Sequence, residues 1–399
     1  MRGEGRLAES VPPENSIRII NLDRIFGNDN MTQQKNSWLR PIGVYLAAAA
    51  AFMLLEALVF RTGFYAQFLE PISSAGIFEG SLRDELGRRQ LGPDEVLVIG
   101  DSRIGEGFSA PIANDSRGER GYYFANGSVP GTTPRSWYYE LRDLDPTRRR
   151  YHAIVLPVES YEDVDTQENY SNRTLDLHYV VARLRYSDIL EFTFSFQTAR
   201  DRFEVFRGSL LKGFIYQPDL LALIENREKR MKDVAQWREH GSEWRNGYGG
   251  RQEDLRGLEV NWASGTIRMP ENLPPDRRAS LQATILTPPA PHTGQFEMYQ
   301  RKWFGKIINL YRGSETRLVF LALPRGPAPR PDPPVVHLSH SIRDFSSSGQ
   351  AILLPERAFQ SLERPECYFD ALHLNSRGRR LFSVMLAQII LEKLGPSHN

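Results

Sequence analysis

Four short apolar runs set the strongest limit on what this chain can fold into. Runs of this length that carry no polar face are typical of strands buried inside a parallel sheet. Helical patterns separate or follow them, at Pro134–Leu144, Phe296–Tyr311 and Ser376–Leu394, the last with apolar residues at helical spacing. Strands that alternate with helices predict an α/β fold with a doubly wound parallel sheet. The predicted strands are Glu95–Gly100, Tyr122–Ala125, His152–Pro157 and Arg317–Leu323.

An apolar stretch, Pro41–Phe60, precedes the predicted sheet and is bracketed by Arg40 and Arg61. Twenty helical residues span about 30 Å, which matches the hydrocarbon core of a bilayer. The stretch therefore predicts a transmembrane anchor; a buried helix of a soluble protein is the alternative. Glu56 lies within about a turn of the far end, and we interpret it as tolerated there by reaching the interface or by protonation. A cleaved signal peptide fits poorly, because about forty mostly polar residues precede the run.

The charges beside this stretch predict its orientation. Arg24, Lys35 and Arg40 lie within twenty residues before it, whereas Arg61 alone lies within twenty after it. The positive-inside bias therefore predicts a cytoplasmic N-terminus and an extracytoplasmic (periplasmic) remainder. The predicted domain boundaries are a cytoplasmic tail at 1–37, a transmembrane anchor at 38–62, a linker at 63–89 and an α/β domain at 90–396.

The alternation of strands and helices stops between Tyr161 and Pro291. This charged and aromatic segment is predicted to be mostly helical in its first half, Leu175–Lys232, and to form an insertion beside the sheet. It is either a packing appendage or a lid that shapes substrate access. Further on, the proline-rich run Pro324–Pro334 must leave the sheet as an extended loop, and we interpret it as a rigid connector rather than a ligand for a partner.

Composition excludes several classes of function. Lys+Arg 50 against Asp+Glu 49 gives a formal net charge of +1, so no nucleic acid or acidic polymer is predicted as a partner. The single cysteine, Cys367, excludes an internal disulfide framework and a cysteine-built metal site. His337, His340 and Asp344 are the nearest approach to a metal-ligand pattern, and we interpret them as part of a polar surface loop. No metal is predicted.

The first motif with chemical meaning is Asp101-Ser102-Arg103, which directly follows the strand Glu95–Gly100. A serine at the point where a buried strand turns into a helix presents its hydroxyl at the carboxyl edge of the sheet, where open α/β sheets bind ligands. Its own N–H, at a helix start, can help to stabilise an oxyanion. A serine or aspartate that merely caps a helix is the alternative.

The second motif is Asp370-Ala371-Leu372-His373, just before the last predicted helix. An aspartate three residues before a histidine can turn its carboxylate toward the imidazole and support the charge that develops when histidine accepts a serine proton. An ordinary surface Asp–His pair is the alternative. Asn375 or Ser376 then supplies the N-cap of the helix.

Together these motifs resemble the SGNH/GDSL hydrolase superfamily, in which the nucleophile follows the first strand and a DxxH precedes the last helix. The resemblance covers roughly residues 90–160 and 290–395. It implies a three-layer α/β/α sandwich, the triad Ser102, Asp370 and His373, and hydrolysis or transfer of an ester-linked acyl group. It implies no metal and no cofactor.

The resemblance also implies further donors to the oxyanion. Gly131 matches the family's second block best, with Gly127 behind it. The third block normally reads Gly-x-Asn-Asp, but this chain has LPVESY at 156–161, so one donor is missing or comes from elsewhere, with Asn126 a candidate. Loss of one donor typically costs about 10²–10³ in rate. Arg103 stands where the family has leucine. It could bind an anionic substrate group, but we interpret it as a solvated or salt-bridged arginine.

These observations predict a membrane-anchored serine esterase or O-acyltransferase. The resemblance implies, by analogy with membrane-tethered members of the family, that it acts on an acylated cell-envelope glycan or a similar small ester. The alternative is a non-catalytic relative that keeps the fold and binds glycans or assists envelope assembly. The Ser–Asp–His set favours the enzyme, and the missing Gly-x-Asn-Asp favours the alternative. The sequence does not determine the oligomeric state, the acyl group or the acceptor.

Overall fold

The computed structural model describes residues 31–92, 94–119, 121–163, 170–241, 247–288, 294–331 and 340–397, with the backbone alone at 31–41 and 170. The described chain forms two compact units, and the boundary between them lies between Leu54 and Leu55. The α-helices are α1 Met31–Leu55, α2 Ser74–Gly87, α3 Ser102–Gly107, α4 Ala110–Ser116, α5 Pro134–Leu144, α6 Leu175–Val180, α7 Ile189–Thr193, α8 Ala199–Leu210, α9 Gly213–Glu225, α10 Arg227–His240, α11 Pro275–Leu286, α12 Gln295–Leu310, α13 Ser341–Ser347 and α14 Ser376–Leu394. The strands are β1 Glu95–Val98, β2 Tyr123–Asn126, β3 Ala153–Val158, β4 Glu259–Asn261, β5 Thr266–Arg268, β6 Arg317–Ala322 and β7 Ile352–Leu353.

The first unit is dominated by α1, which runs on into the second unit as a π-helical turn, Glu56–Phe60. The helical stretch Ile42–Phe60, which begins in α1 and ends with the π-helical turn, is long and apolar enough to cross a membrane. The side chains of residues 42–50 are exposed to the surroundings, as expected for a helix whose partner is lipid rather than protein. The prediction of one apolar helix near the N-terminus that can span a bilayer is therefore confirmed.

The second unit is built on a five-stranded parallel sheet in the order β2-β1-β3-β6-β7. The predicted mixed α/β class and the parallel sheet are thus confirmed. β1, β3 and β6 are almost wholly buried, because they are apolar on both faces and neighbouring strands cover both of their edges. Each of the four predicted strands is observed, with ends within two residues of the predicted ones.

Successive residues of the strands pack into two different hydrophobic clusters. In β1, Val96 and Val98 join one cluster, which also holds Phe382 and Leu386 of α14. Leu97 faces the other way and packs with residues of α5 and α12. The period of two along a strand thus divides one apolar run between two cores.

Two parts of the sheet unit differ from the sequence-based expectation. Residues 63–89, predicted as a linker, contain α2, whose Phe78 and Leu82 are buried. The edge strand β7, Ile352–Leu353, was not predicted, because two residues are too few to form a recognisable pattern.

The insertion has two halves with different architectures. Its first half, residues 170–241, contains α6 to α10, so the predicted helical character is confirmed there. It forms a third hydrophobic cluster, to which Val180 and Phe192 contribute. Its second half, residues 247–288, holds α11 and the antiparallel hairpin β4–β5, which was not predicted. The leucines of this half, among them Leu255 and Leu281, join the cluster of α14 instead of forming their own.

Candidate active site

Ser102 is the first residue of α3 and lies four residues beyond the end of β1. Asp101 caps the helix, because its carboxylate accepts a hydrogen bond from the N–H of Arg103 at 2.9 Å. The turn before the cap requires Gly100, since a Cβ atom there would lie 2.5 Å from the side chain of Ile104. This close turn presents the half-buried serine at the carboxyl edge of the sheet.

Ser102, His373 and Asp370 form a continuous chain of hydrogen bonds. The Nε2 atom of His373 lies 2.8 Å from the Oγ atom of Ser102. On the other side of the imidazole, Nδ1 lies 2.9 Å from Oδ2 and 3.1 Å from Oδ1 of Asp370. In the tautomer that fits these contacts, Nδ1–H donates to the carboxylate and Nε2 accepts from the hydroxyl. The structure brings together the three residues predicted as the triad.

Local contacts fix the orientation of the histidine. One oxygen of Asp370 accepts the N–H groups of Leu372, at 2.8 Å, and of His373, at 2.7 Å, so the loop folds around its own aspartate. The ring of Phe369 stacks on the imidazole with 5.6 Å between centroids and 16° between planes. Asn375 then caps α14 by accepting the N–H of Gly378 at 2.9 Å.

Arg379, in the first turn of α14, joins this helix to α3, the helix that begins with Ser102. Its side chain is almost fully buried. Its guanidinium donates to the carbonyl oxygens of Gly105 and Glu106, each at 2.7 Å. Burial lowers the pKa of Arg379 to about 10, which still leaves the side chain charged near neutral pH. These two bonds hold the helix that follows His373 against the helix that begins with Ser102.

The electrostatics of the pair suit proton transfer. Burial alone would lower the pKa of His373, but the hydrogen bond and negative charge of Asp370 outweigh burial, so this pKa is raised above its ordinary value. Glu106 and Asp101 act in the same direction. Burial would raise the pKa of Asp370, but its bonds to His373 and to the N–H of Leu372 outweigh burial and lower it. Asp370 is therefore an ionised partner for an imidazole that accepts protons readily.

The loop after β2 lies beside the strand end that carries Ser102. The N–H of Val129 donates to the carbonyl of Gly100 at 2.8 Å. Gly131 has φ +77°, and a Cβ atom there would lie 2.3 Å from the hydroxyl oxygen of Tyr179, so both its conformation and its surroundings require glycine. Within the described part of the chain, no acceptor takes the N–H of Gly131. This N–H remains a candidate donor to an oxyanion.

The other two oxyanion candidates have structural partners in place. The N–H of Gly127 donates to the carbonyl of Val98 at 2.9 Å and extends the sheet. The side-chain amide of buried Asn126 donates to the carbonyl of Phe108 at 3.2 Å, while its oxygen accepts both the N–H and the hydroxyl of Ser128. Both residues therefore shape the loop that leads to Gly131.

Arg103 is held between two carboxylates. Its guanidinium lies 2.9 Å from Asp101 and 2.8 Å from Glu159, with the arginine side chain only 14% exposed. Glu159 directly follows β3. The salt-bridged alternative for Arg103 is what the structure contains, because the carboxylate of Glu159 accepts a hydrogen bond from this arginine.

A cleft of about 340 Å³ opens beside Asp370. One wall is the loop that carries Phe369 and Asp370, and the other is the second half of the insertion, including Arg251 and Arg277. Arg277 donates to the carbonyl of Phe369 at 2.5 Å. The guanidinium carbon of Arg251 lies 4.8 Å from the centroid of the Phe369 ring. Neither arginine pairs with a carboxylate among the described residues. Sequence reasoning missed this cleft, because no pattern connects residues 250–284 to the DxxH loop.

Backbone contacts join the same part of the insertion to the histidine loop. The N–H of Ser376 donates to the carbonyl of Arg251 at 2.7 Å, and the N–H of Leu255 donates to the carbonyl of Pro365 at 3.1 Å. The side-chain amide of Asn375 also reaches the carbonyl of Glu253, at 3.2 Å. The segment from 251 to 255 thus lies along the loop on both sides of His373.

The described residues among His337, His340 and Asp344, the nearest approach to a metal-ligand pattern in the sequence, do not form a metal site. His337 lies outside them, His340 contacts Glu162, and Asp344 accepts a hydrogen bond from Arg301 at 2.7 Å. No group of three or more His, Cys, Asp or Glu side chains in the described ranges is arranged to hold a metal ion.

Comparison of the whole chain with protein-family models, with curated proteins and with solved structures finds no match. The chemistry of the site is therefore argued from the arrangement of Ser102, His373 and Asp370 and from the groups around them.

Proposed function

We propose that this protein is a serine esterase or O-acyltransferase of the SGNH/GDSL type, with Ser102 as its nucleophile. The observation that carries this proposal is the continuous hydrogen-bonded chain from Ser102 through His373 to Asp370. Nucleophile, base and orienting carboxylate at these distances are what acyl transfer through a covalent intermediate requires.

The reaction proceeds in two steps, acylation of Ser102 and then transfer of the acyl group to water or to an acceptor hydroxyl. Nε2 of His373 takes the hydroxyl proton of Ser102 while Oγ attacks the ester carbonyl, and the carbonyl π electrons move to its oxygen. When the tetrahedral intermediate collapses, the alcohol leaves with the proton from His373, and the acyl group stays on Ser102. Water or an acceptor hydroxyl then attacks the acyl-enzyme through the same sequence, giving the acid or a new ester. Asp370 supports the imidazolium in both steps.

The oxyanion is stabilised by backbone donors. We assign this role to the N–H of Ser102 at the start of α3 and to the N–H of Gly131. The third donor of the family is replaced by Glu159, whose negative charge is offset by Arg103. The enzyme is therefore expected to turn over small esters more slowly than a relative with all three donors, by about 10²–10³.

The same proposal extends to the fold, which we take to be a three-layer α/β/α sandwich. The two hydrophobic clusters that share the strands support this, because one includes residues of α4 and α14 and the other residues of α5 and α12. A parallel sheet with helices on both faces is the usual arrangement for strands buried on both sides.

The anchor and the cleft bear on the substrate. We infer that the helix Ile42–Phe60 crosses the membrane with its N-terminus in the cytoplasm, because three basic residues lie within twenty residues before it and only Arg61 lies within twenty after it. The site then faces the cell envelope, where acylated glycans are membrane-proximal esters. Arg251 and Arg277 in the cleft favour a substrate whose ester lies near a negatively charged or hydroxyl-rich group.

A second candidate function is a non-catalytic SGNH-like protein that binds glycans or assists envelope assembly. The observation that favours it is the loss of the third oxyanion donor, whose position Glu159 occupies in a salt bridge with Arg103. In such a protein the cleft beside Asp370 would hold the glycan without cleaving it.

Labelling by a fluorophosphonate separates the two. Full-length chain in detergent should be labelled at Ser102, and Ser102→Ala should abolish the label, because only an activated serine attacks the phosphorus. Ser361→Ala, which removes another serine hydroxyl from the exposed surface, should label as wild type does. Wild type that is folded but takes no label, and that hydrolyses no acetyl ester, would exclude the hydrolase and leave the binding protein.

A further inference from the structure

Helix α9 presents a largely apolar face outward, interrupted by exposed Gln217 and, at its last residue, by Glu225. Phe214, Leu221 and Ile224 are 40%, 50% and 68% exposed, and Pro218 lies between them on the same face at helical spacing. The opposite face is packed inward through residues such as Tyr216, which is buried. A helix that is apolar toward its core and toward the outside differs from an ordinary surface helix, whose outer face is polar.

This helix begins at the end of the membrane-spanning segment. The carboxylate of Glu56 accepts the N–H groups of Lys212, at 3.0 Å, and of Gly213, at 2.9 Å, so it caps the start of α9. Arg61 pairs with the same carboxylate at 3.0 Å. Glu56 is only 2% exposed, so its sequence-based interpretation as a residue reaching the interface is replaced by a cap inside the protein.

Further contacts fix α9 along the residues that leave the span. The rings of Phe60 and Tyr216 are 5.5 Å apart, and the hydroxyl of Tyr65 donates to the carboxylate of Asp219 at 2.6 Å. Because Phe60 ends the apolar stretch, these contacts keep the first half of α9, from Gly213 to Asp219, beside the residues with which the chain leaves that stretch.

The surface beside α9 also exposes large apolar side chains. Phe64, four residues after the span, is 54% exposed, and Phe203 of α8 is 68% exposed. The guanidinium of Arg207, also in α8, lies 4.9 Å from the centroid of the Phe214 ring. Aromatic rings and basic groups together are the composition that settles at the boundary between lipid headgroups and acyl chains.

We propose that the outer face of α9, with Phe214, Leu221 and Ile224, lies in the interface of the same membrane that the anchor crosses. This inference rests on the proposed anchor and does not require the proposed chemistry. Its consequence is a second point of contact with the membrane, beside the anchor.

The test uses single-cysteine labels on the full chain in vesicles of phosphatidylcholine and phosphatidylglycerol. The native Cys367 is fully buried, so an environment-sensitive dye reacts at the introduced site. Leu221→Cys reports on α9. Leu91→Cys is the matched control. This leucine is also 50% exposed, but it does not belong to the apolar surface formed by α9 and its neighbours. Ala49→Cys reports on the span.

Brominated acyl chains should quench the dye at 221 and at 49, with blue-shifted emission at both, and should leave the dye at 91 unchanged. Quenching at 49 without quenching at 221 would overturn the membrane face of α9 while leaving the anchor in place. A blue shift at 221 without quenching would assign the face to a protein partner, such as a second copy, and would also overturn the proposal. Absence of quenching at 49 would instead refute the anchor itself.

Discussion

The two halves of the insertion contact the candidate site from different sides and by different means. The first half shares a core with the loop of Gly131, since Val129 and Tyr179 belong to one buried cluster. It is also joined to the start of α5 by a fully buried ion pair, Arg135–Asp176, at 2.9 Å. The second half meets the loop of His373 through backbone hydrogen bonds and partly exposed arginines.

The difference teaches that the insertion is neither a simple appendage nor a simple lid. Its first half is part of the fold and supports the side of the site where the oxyanion would lie. Its second half lines the cleft and contacts the loop that carries His373. We therefore expect changes in the first half to act on stability and on kcat, and changes in the second half to act on substrate binding.

The largest effect expected in the molecule is loss of the proposed nucleophile, Ser102, or of the proposed base, His373, and the effects expected in the two halves are compared with it. Ser102→Ala and His373→Ala should each lower kcat on a small acetyl ester by about 10⁵–10⁶, and the double variant should be scarcely worse, because the residues act as one unit. Asp370→Asn should be milder, because the aspartate orients and supports but does not attack. Additive losses in the double variant would contradict a shared mechanism.

The buried ion pair tests whether the first half belongs to the fold. Asp176→Ala leaves Arg135 buried without its carboxylate, which should lower the free energy of unfolding by about 3–5 kcal/mol. Burial raises the pKa of Asp176 even against Arg135, so the pair itself need not be stabilising for its disruption to be costly. Urea unfolding measures the change.

The matched control lies in the second half, where Asp254 pairs with Arg256 at 2.9 Å on the surface. Asp254→Ala should change the free energy of unfolding by no more than about 0.5 kcal/mol. Equal losses in the two variants would remove the distinction between the halves.

Gly131→Ala tests the support of the oxyanion loop. The added Cβ would meet the hydroxyl of Tyr179 at 2.3 Å in a backbone conformation that disfavours alanine, so the loop must shift. We expect kcat to fall by about 10²–10³, as for loss of one donor. Tyr179→Phe removes the clashing oxygen and should restore part of the rate in the double variant. A double variant as slow as Gly131→Ala alone would show that backbone strain, not the clash, is responsible.

Arg277→Ala tests the cleft of the second half. It should raise KM for an ester that carries a carboxylate by roughly fivefold, about 1 kcal/mol, with little change for a neutral ester. Arg278→Ala is the control, because this neighbouring guanidinium donates to the carbonyl of Leu273 at 2.7 Å. Equal rises in KM for both esters would mean that Arg277 only positions the loop through Phe369.

The smallest expected effect is a shift along the pH axis. Because the pKa of His373 is raised, kcat/KM should fall as pH drops through a value above about 6.5, the ordinary pKa of histidine. At a pH below the raised pKa of His373, the imidazole is already protonated and cannot accept the serine proton. In Asp370→Asn the raising carboxylate is gone, so the remaining activity should fall at lower pH than in wild type.

The sequence predicts the parts of this molecule that depend on short-range patterns. The runs around Val96 and Phe320 are apolar on both faces, which only a buried strand accommodates. The motifs that carry Ser102 and His373 each have a recognisable strand or helix beside them. Their meeting at 2.8 Å follows from the topology, since both lie at the carboxyl edge of one sheet.

What the sequence could not predict depends on contacts between distant segments. Glu56 reads as a polar defect in an apolar run, and its role as the cap of α9 requires residues some 156 positions away. In the same way, Arg277 carries no local signal of a cleft, because its partner is the carbonyl of Phe369, a group that every residue has.

The bonds from Arg379 to Gly105 and Glu106 have a consequence for how the protein is made. Ser102 is synthesised 271 residues before His373, and Arg379, which joins the helices beside them, comes later still. At the usual pace of translation, about 5–20 residues per second, the serine waits roughly ten seconds or more without this histidine. The hydrogen-bonded chain from Ser102 to Asp370 therefore forms only late in synthesis, when the last helix is made and Arg379 holds it against the helix of Ser102.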